Sequence, residues 1–124
     1  MTTRHDVLIV GGGLVGASLA IALDRLGLST GLVEATPPGQ MPAVFDQRNL
    51  SFAAATVNAL GALGVMRRLR MPDAPIRRIH VSRRGDFGRV RLEAADYGRE
   101  RFGQVVVARD FGDALAARLD ELVH

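Results

Sequence analysis

The sequence predicts an α/β fold: a Rossmann-like βαβ unit with a parallel sheet, joined to the start of an inserted antiparallel β region, together making an incomplete domain. Three observations predict it. A glycine cluster, Gly11 to Gly16, separates a β-branched apolar run from a stretch with helical spacing. A second apolar run ends on an acid, Glu34. Further along, two alternating segments flank a glycine-containing turn, as in a hairpin.

Asp6-Val7-Leu8-Ile9-Val10 reads as a strand buried on both faces. Leu14, Val15, Leu19, Ile21, Ala22 and Leu26 then follow helical spacing, and Gly27 stands where a left-handed residue would end the helix. Thr30-Gly31-Leu32-Val33-Glu34 is a second buried strand, which completes a βαβ unit over residues 5–34 with the right-handed crossover usual for parallel strands. The prolines and glycine between Ala35 and Gln47 predict a loop. Leu50, Ala53, Ala54, Val57, Leu60 and Leu63 predict a helix over 50–63, closed by Gly64. Ile76–Ser82 and Arg89–Glu93 alternate and enclose Arg83-Arg84-Gly85-Asp86-Phe87-Gly88, so a hairpin is expected over 76–93. Gln104-Val105-Val106-Val107 is a short extended piece. Asp110 is positioned to cap a last helix whose apolar residues are Phe111, Leu115, Leu119 and Leu122. In an α/β fold such a helix feeds another parallel strand, so the domain is expected to continue past residue 124, leaving those leucines partly uncovered.

Composition narrows the chemistry. The chain has 124 residues, 48% of them hydrophobic, and no cysteine, which excludes disulfides, thiolate metal sites and cysteine nucleophiles. His5, His80 and His124 show no ligand spacing, so no metal is expected. Neither a targeting segment nor a membrane span is predicted, because Asp24, Arg25 and Glu34 interrupt the most apolar stretch. The formal charge is +3, and every basic residue is arginine. Nine of these arginines, Arg67, Arg68, Arg70, Arg77, Arg78, Arg83, Arg84, Arg89 and Arg91, fall in one stretch. They read first as a solvated face, with contact to anionic lipid as the alternative. No nucleic-acid partner is expected, since aromatics are not interleaved as a single-strand groove requires.

Gly11, Gly13 and Gly16 satisfy the G-x-G-x-x-G pattern, weak alone but strengthened by the strand before it, the helix after it and the acid at residue 34. Gly11 permits the tight turn. Gly13 lets a pyrophosphate approach the backbone, and Gly16 lets the helix pack close to the strand. Amides of Leu14 and Val15 at the helix start face the phosphate charge. Glu34, followed by Ala35, is placed to accept from ribose hydroxyls and repels a 2′-phosphate, which disfavours NADP at this site. The same unit serves NAD or FAD, and these residues alone leave that choice open.

Four stretches carry a resemblance: the amino-terminal fingerprint, Phe45-Asp46-Gln47-Arg48, Ala94-Ala95-Asp96-Tyr97, and Phe102-Gly103-Gln104-Val105-Val106. In order and spacing they resemble the class A flavin monooxygenases with the para-hydroxybenzoate hydroxylase fold, and within them the ubiquinone-biosynthesis hydroxylases of the 2-octaprenyl-6-methoxyphenol hydroxylase type. The resemblance implies FAD as cofactor, with the residue matching Arg48 beside it and those matching Gln104 and Arg109 approaching its ribityl and diphosphate portion. Arginine forks suit phosphate oxygens, and a glutamine amide suits sugar hydroxyls. A competing reading pairs Arg109 with Asp110 and Asp113. The expected cofactor-binding set is thus Gly11, Gly13, Leu14, Val15, Gly16, Glu34, Ala35, Arg48, Gln104 and Arg109, with no catalytic side chain named.

For an intact protein the resemblance implies that NAD(P)H and dioxygen hydroxylate a prenylated phenol, in the cytoplasm and in contact with a membrane or a biosynthetic assembly. It also implies that residues 76–93 belong to the substrate region and 102–124 return to the FAD domain. Members of this family are several times longer. Their Asp-Gly and Gly-Asp flavin motifs fall beyond residue 124. A fragment of another FAD- or NAD-dependent oxidoreductase, or a non-catalytic nucleotide-binding remnant, are the rival readings.

Overall fold

The computed structural model describes residues 3–37 and 47–123, so Phe45 and Asp46 of the Phe45–Arg48 stretch, much of the loop before it, and His124 lie outside the described residues. The expected βαβ unit is present. Strand β1 (Val7–Val10) leads into helix α1 (Leu14–Asp24) and then β2 (Thr30–Val33). The strands run parallel, from Val7 opposite Thr30 to Val10 opposite Val33. The Gly11 amide extends the ladder by donating to the Val33 carbonyl at 2.8 Å. After α1 the chain reverses through Gly27, whose φ of +72° is the left-handed conformation that glycine adopts without a Cβ penalty.

The next segment departs from expectation. Instead of a helix over 50–63, strand β3 (Asn49–Ala53) precedes a shorter helix α2 (Ala54–Ala62), which ends at Gly64 with φ +79°. The reason is tertiary. Residues 49–53 pair antiparallel with β7 (Gly103–Val107), Leu50 opposite Val106 and Phe52 opposite Gln104. Leu50 and Phe52 thereby reach the core while Asn49 and Ser51 remain exposed, so pairing with a distant strand overrides the helical spacing that Ala53 and Ala54 suggested. Backbones approach closely here: a Cβ on Gly103 would lie 1.9 Å from the Phe52 carbonyl oxygen.

A 3-10 turn over Met66–Arg68 follows, then the two-residue strand β4 (Pro75–Ile76), which pairs with the other edge of β7. The alternating stretch 76–82 therefore divides at Arg77. Among the described residues, strand β5 (Arg78–Ser82) pairs only with β6 (Arg89–Glu93), in a hairpin running from Arg78 opposite Glu93 to Ser82 opposite Arg89. Ala94–Tyr97 forms a second 3-10 turn, and helix α3 (Ala108–Leu119) ends the fold.

The core lies between α1, α2, α3 and the β3–β7–β4 sheet. Ala17, Ile21, Leu60, Val65, Val106, Phe111, Ala114 and Leu115 form it, and the Phe52 and Phe111 rings meet edge to face with centroids 4.9 Å apart. Carbonyls left without helical partners at the end of α2 are met by arginines from three places: Arg25 donates to Ala62, Arg118 to Leu63 at 3.0 Å, and Arg68 to Gly64 at 3.1 Å. Arg68 also pairs with Glu121. It is therefore a stitch between segments rather than part of a solvated face.

Two further expectations change. Asp110 does not cap α3, whose N-cap is Val107. It sits in the first turn, buried, and its carboxylate accepts from the amides of Arg70 (3.0 and 3.1 Å) and Met71 (2.9 Å). The uncovered apolar surface also lies elsewhere than expected. Leu115 is fully buried, and Leu119 and Leu122 pack against the core. Leu8 and Val10, on the β1 face away from α1, are 63% and 82% exposed, and Val33 is 52% exposed. Among the described residues, the β1–β2 sheet is thus covered on one face only.

Candidate functional site

The glycine turn joins β1 to α1, and the fold makes different demands at its three fingerprint glycines. Gly11 has φ +104°, a backbone that L side chains rarely adopt. Gly16, at the third position of α1, could not carry a Cβ, which would lie 1.9 Å from the Gly11 carbonyl oxygen and 3.3 Å from Ile9 Cγ2. Gly13 is unlike both. Its φ is −68°, open to any residue, and a Cβ there would meet nothing within 4 Å. The free fold therefore has no need of glycine at position 13. A group lying directly over the turn would call for one.

The start of α1 supplies what such a group would bind. Gly13 is its N-cap, and the first intrahelical bond runs from the Ala17 amide to the Gly13 carbonyl at 2.9 Å. The amides of Leu14, Val15 and Gly16 precede it and have no helical acceptor. No acid stands in the first turn and no side chain caps it, so the positive end of the helix dipole is left for an anion. Leu14 packs back against the core, fixing the helix start, whereas Val15 is 83% exposed beside it.

Glu34 closes the other side. Its Oε2 accepts from the Gly12 amide at 2.6 Å and its Oε1 from the Thr36 amide at 2.7 Å. Bonds from Thr36, then Gly12, and to a smaller extent from Ala35, hold the Glu34 carboxyl below the usual carboxylate range. The acid is thus ionised and oriented, and each carboxylate oxygen keeps accepting capacity toward a diol. Gly12 and Thr36 hold the Glu34 carboxylate through their amides, and sequence reasoning passed over both. Gly12 occupies an unspecified position of the pattern, yet a Cβ there would press on Glu34 at 3.1 Å; the only signal was a third consecutive glycine. These features fit a dinucleotide: an open glycine backbone and free amides for the pyrophosphate, and a fixed carboxylate for a ribose.

The remaining candidates form a second group. The Arg48 carbonyl accepts from the Ala108 amide at 2.8 Å, which brings Arg48 to the start of α3 next to Arg109. Gln104 lies on β7, on the strand face shared with Val106. The side chains of Gln104 and Arg109 have no hydrogen-bond or ion-pair partner among the described residues. Asp110 is taken up by the 70–71 backbone, so it does not pair with Arg109. The two groups are tied through the core, where Leu14 from the first turn of α1 and Val106 from β7 belong to one cluster. Ala35, exposed, follows Glu34 at the rim.

Comparison with known proteins agrees with this geometry. Residues 4–118 match the family described as FAD binding domain. The chain is 39% identical over 77 residues to the ubiquinone hydroxylase UbiL of Rhodospirillum rubrum, a match covering 61% of this chain and 18% of that protein. Among solved structures, p-nitrophenol 4-monooxygenase PnpA from Pseudomonas putida DLL-E4 superposes with a TM-score of 0.74 at 19% identity, over 98% of this chain and 31% of that one. The flavin-dependent monooxygenase PieE, solved with FAD and substrate, superposes with a TM-score of 0.68 at 20% identity, over 96% of this chain and 22% of that one. This chain therefore spans under a third of the length of each of these proteins and shares the fold of their corresponding part. The glycine cradle, the oriented Glu34 and the match over nearly all the sequence lead to one conclusion: the chain belongs to the FAD-binding domain family, and FAD is its cofactor.

Proposed function

We propose that this chain forms the adenine-nucleotide grip of an FAD-dependent aromatic-ring hydroxylase, which in the intact protein hydroxylates a prenylated phenol in ubiquinone biosynthesis with NAD(P)H and O2. The observation that carries the reading is Gly13, where the fold leaves an unobstructed space and the helix amides converge. Likeness to a ubiquinone hydroxylase supports the pathway, and the monooxygenase neighbours support the reaction class.

In this reading Gly13 and the amides of Leu14, Val15 and Gly16 receive the pyrophosphate, and Gly11 shapes the turn that presents them. Glu34 accepts from the adenosine ribose hydroxyls, with Ala35 beside it. Arg48 and Arg109 donate to phosphate oxygens, and Gln104 bonds the ribityl hydroxyls. The hairpin over 76–93 is the start of the substrate region, and 102–124 return to the FAD domain. FAD, when bound, supplies the redox chemistry, taking electrons from NAD(P)H and activating dioxygen. The residues described here bind and orient; none acts as nucleophile or base.

The test is titration of the chain with FAD and, in parallel, with NAD. FAD is expected to bind, Gly13→Val to weaken binding on the order of 100-fold while circular dichroism stays unchanged, and Glu34→Arg to weaken it as well. Preference for NAD would identify a dehydrogenase instead. In the intact protein, NAD(P)H oxidation stimulated by a prenylated phenol tests the reaction. The 124 residues alone are expected to hold FAD weakly and to hydroxylate nothing, so phenol-stimulated turnover by them would refute the division of labour.

A further inference from the structure

The β5–β6 hairpin takes no part in the nucleotide site, and it concentrates positive charge. Its register sets Arg78, His80 and Ser82 opposite Glu93, Arg91 and Arg89 on one face, and Ile79 and Val81 opposite Leu92 and Val90 on the other. Arg78 pairs with Glu93, and Arg83 with Asp86 at 3.4 Å. Arg77, Arg84, Arg89 and Arg91 have no carboxylate partner among the described residues. In the turn, Phe87 is fully exposed between Gly85 (φ +88°) and Gly88 (φ +102°). A lone exposed apolar side chain needs no explanation. Here the ring shares the turn end of the ribbon with Val81 and Val90, both more than half exposed, and with Arg84 and Arg89, while Arg91 follows Arg89 on the same face of β6.

Water suits the arginines but not the ring, and an apolar protein groove suits the ring but not the arginines. An anionic lipid interface suits both, because phosphates meet the guanidinium groups while an aromatic side chain settles at headgroup level. We propose that the β5–β6 hairpin docks this chain on an anionic membrane surface, with Phe87 entering the headgroup layer and Arg84, Arg89 and Arg91 facing lipid phosphates. The contact is peripheral, since no helix among the described residues is long and apolar enough to cross a membrane. Nucleic acid fits less well: single-strand grooves stack successive bases on several aromatics, and Phe87 stands alone on this ribbon. The proposal does not depend on the flavin or on the substrate.

Co-sedimentation of the chain with vesicles tests it, using phosphatidylcholine alone and phosphatidylcholine mixed with phosphatidylserine at three to one. Binding to the mixed vesicles is expected, with little to the neutral ones and a marked loss at high salt. The triple variant Arg84→Gln, Arg89→Gln, Arg91→Gln is expected to bind about 100-fold more weakly, each arginine near the surface contributing about fivefold. Phe87→Ser should weaken binding about tenfold and leave the salt dependence unchanged. All four positions are exposed, and circular dichroism confirms that the variants fold. Failure to bind mixed vesicles overturns the proposal. So does equal binding by the triple variant, which would move the contact to another surface such as the bare face of β1–β2. Tighter binding to a single-stranded oligonucleotide than to the vesicles, lost in the same triple variant, would assign the patch to nucleic acid.

Discussion

The βαβ cradle and the β7–α3 layer behind it are held in different ways. In β7 and α3 the chain buries Gly103, Val106, Ala108, Asp110, Phe111, Ala114 and Leu115, and every strand of their sheet pairs through β7. In β1 and β2 only Ile9 and Gly31 are buried, and no described residue covers the outer face of the sheet. The cradle takes its shape from short-range geometry: a positive φ at Gly11, a close approach at Gly16, and a carboxylate held by the Gly12 and Thr36 amides. Its stability is borrowed from the layer beneath, through Ala17 and Ile21 on the inner side of α1. If the cradle binds as proposed, binding and folding rest on largely separate residues, and each should break without the other.

The largest expected effect is on the layer. Leu115→Ala removes a fully buried side chain from the shared core and should cost about 2–5 kcal/mol, read as a fall in urea midpoint, with flavin lost only as the fold is lost. Gly13→Val should show the reverse. FAD affinity falls on the order of 100-fold, or about 2.7 kcal/mol, while the urea midpoint stays put. A Gly13→Val protein that loses stability in parallel would mean that the turn is structural and that the two regions are not separable.

Asp110→Ala strips the acceptor from the Arg70 and Met71 amides and should destabilise by about 1–3 kcal/mol without changing flavin affinity in the folded fraction. Leu8→Thr, on the bare sheet face, should change stability by less than about 0.5 kcal/mol and reduce self-association in sedimentation velocity. A large loss of stability would show that this face is covered by a second copy.

The smallest effect concerns pH. Because the Glu34 carboxyl is held below its ordinary value, its bonds to Thr36 and Gly12 are fully present above about pH 4.3 and are lost as pH falls through the lowered value. The Gly12 amide resonance should report that titration, with a midpoint below the ordinary value of a glutamate carboxyl. A midpoint at or above it would remove Glu34 from the amides.

Much of this was legible in the residues. The βαβ unit, the hairpin and the last helix follow from periodicity, and the fingerprint follows from glycine spacing, because each depends on contacts within a short stretch. What escaped depends on distant partners. Leu50 to Ala53 carry a spacing that suits a helix equally well, and pairing with β7 decided for a strand. Asp110 looks like a cap until the 70–71 backbone arrives to claim its carboxylate. Leu119 and Leu122 were expected to lack partners, and Leu8, Val10 and Val33 lack them instead.

The sequence by itself determined the cradle, since the conformations of Gly11 and the acid ending β2 are properties of local chain chemistry. Only the tertiary structure decided which of the three fingerprint glycines the fold itself does not require. Gly11 and Gly16 are each accounted for by backbone conformation or contact, and Gly13 is accounted for by neither. A string of identical letters cannot make that distinction, because the physical difference lies in what would surround an added Cβ, and that depends on atoms brought together by folding.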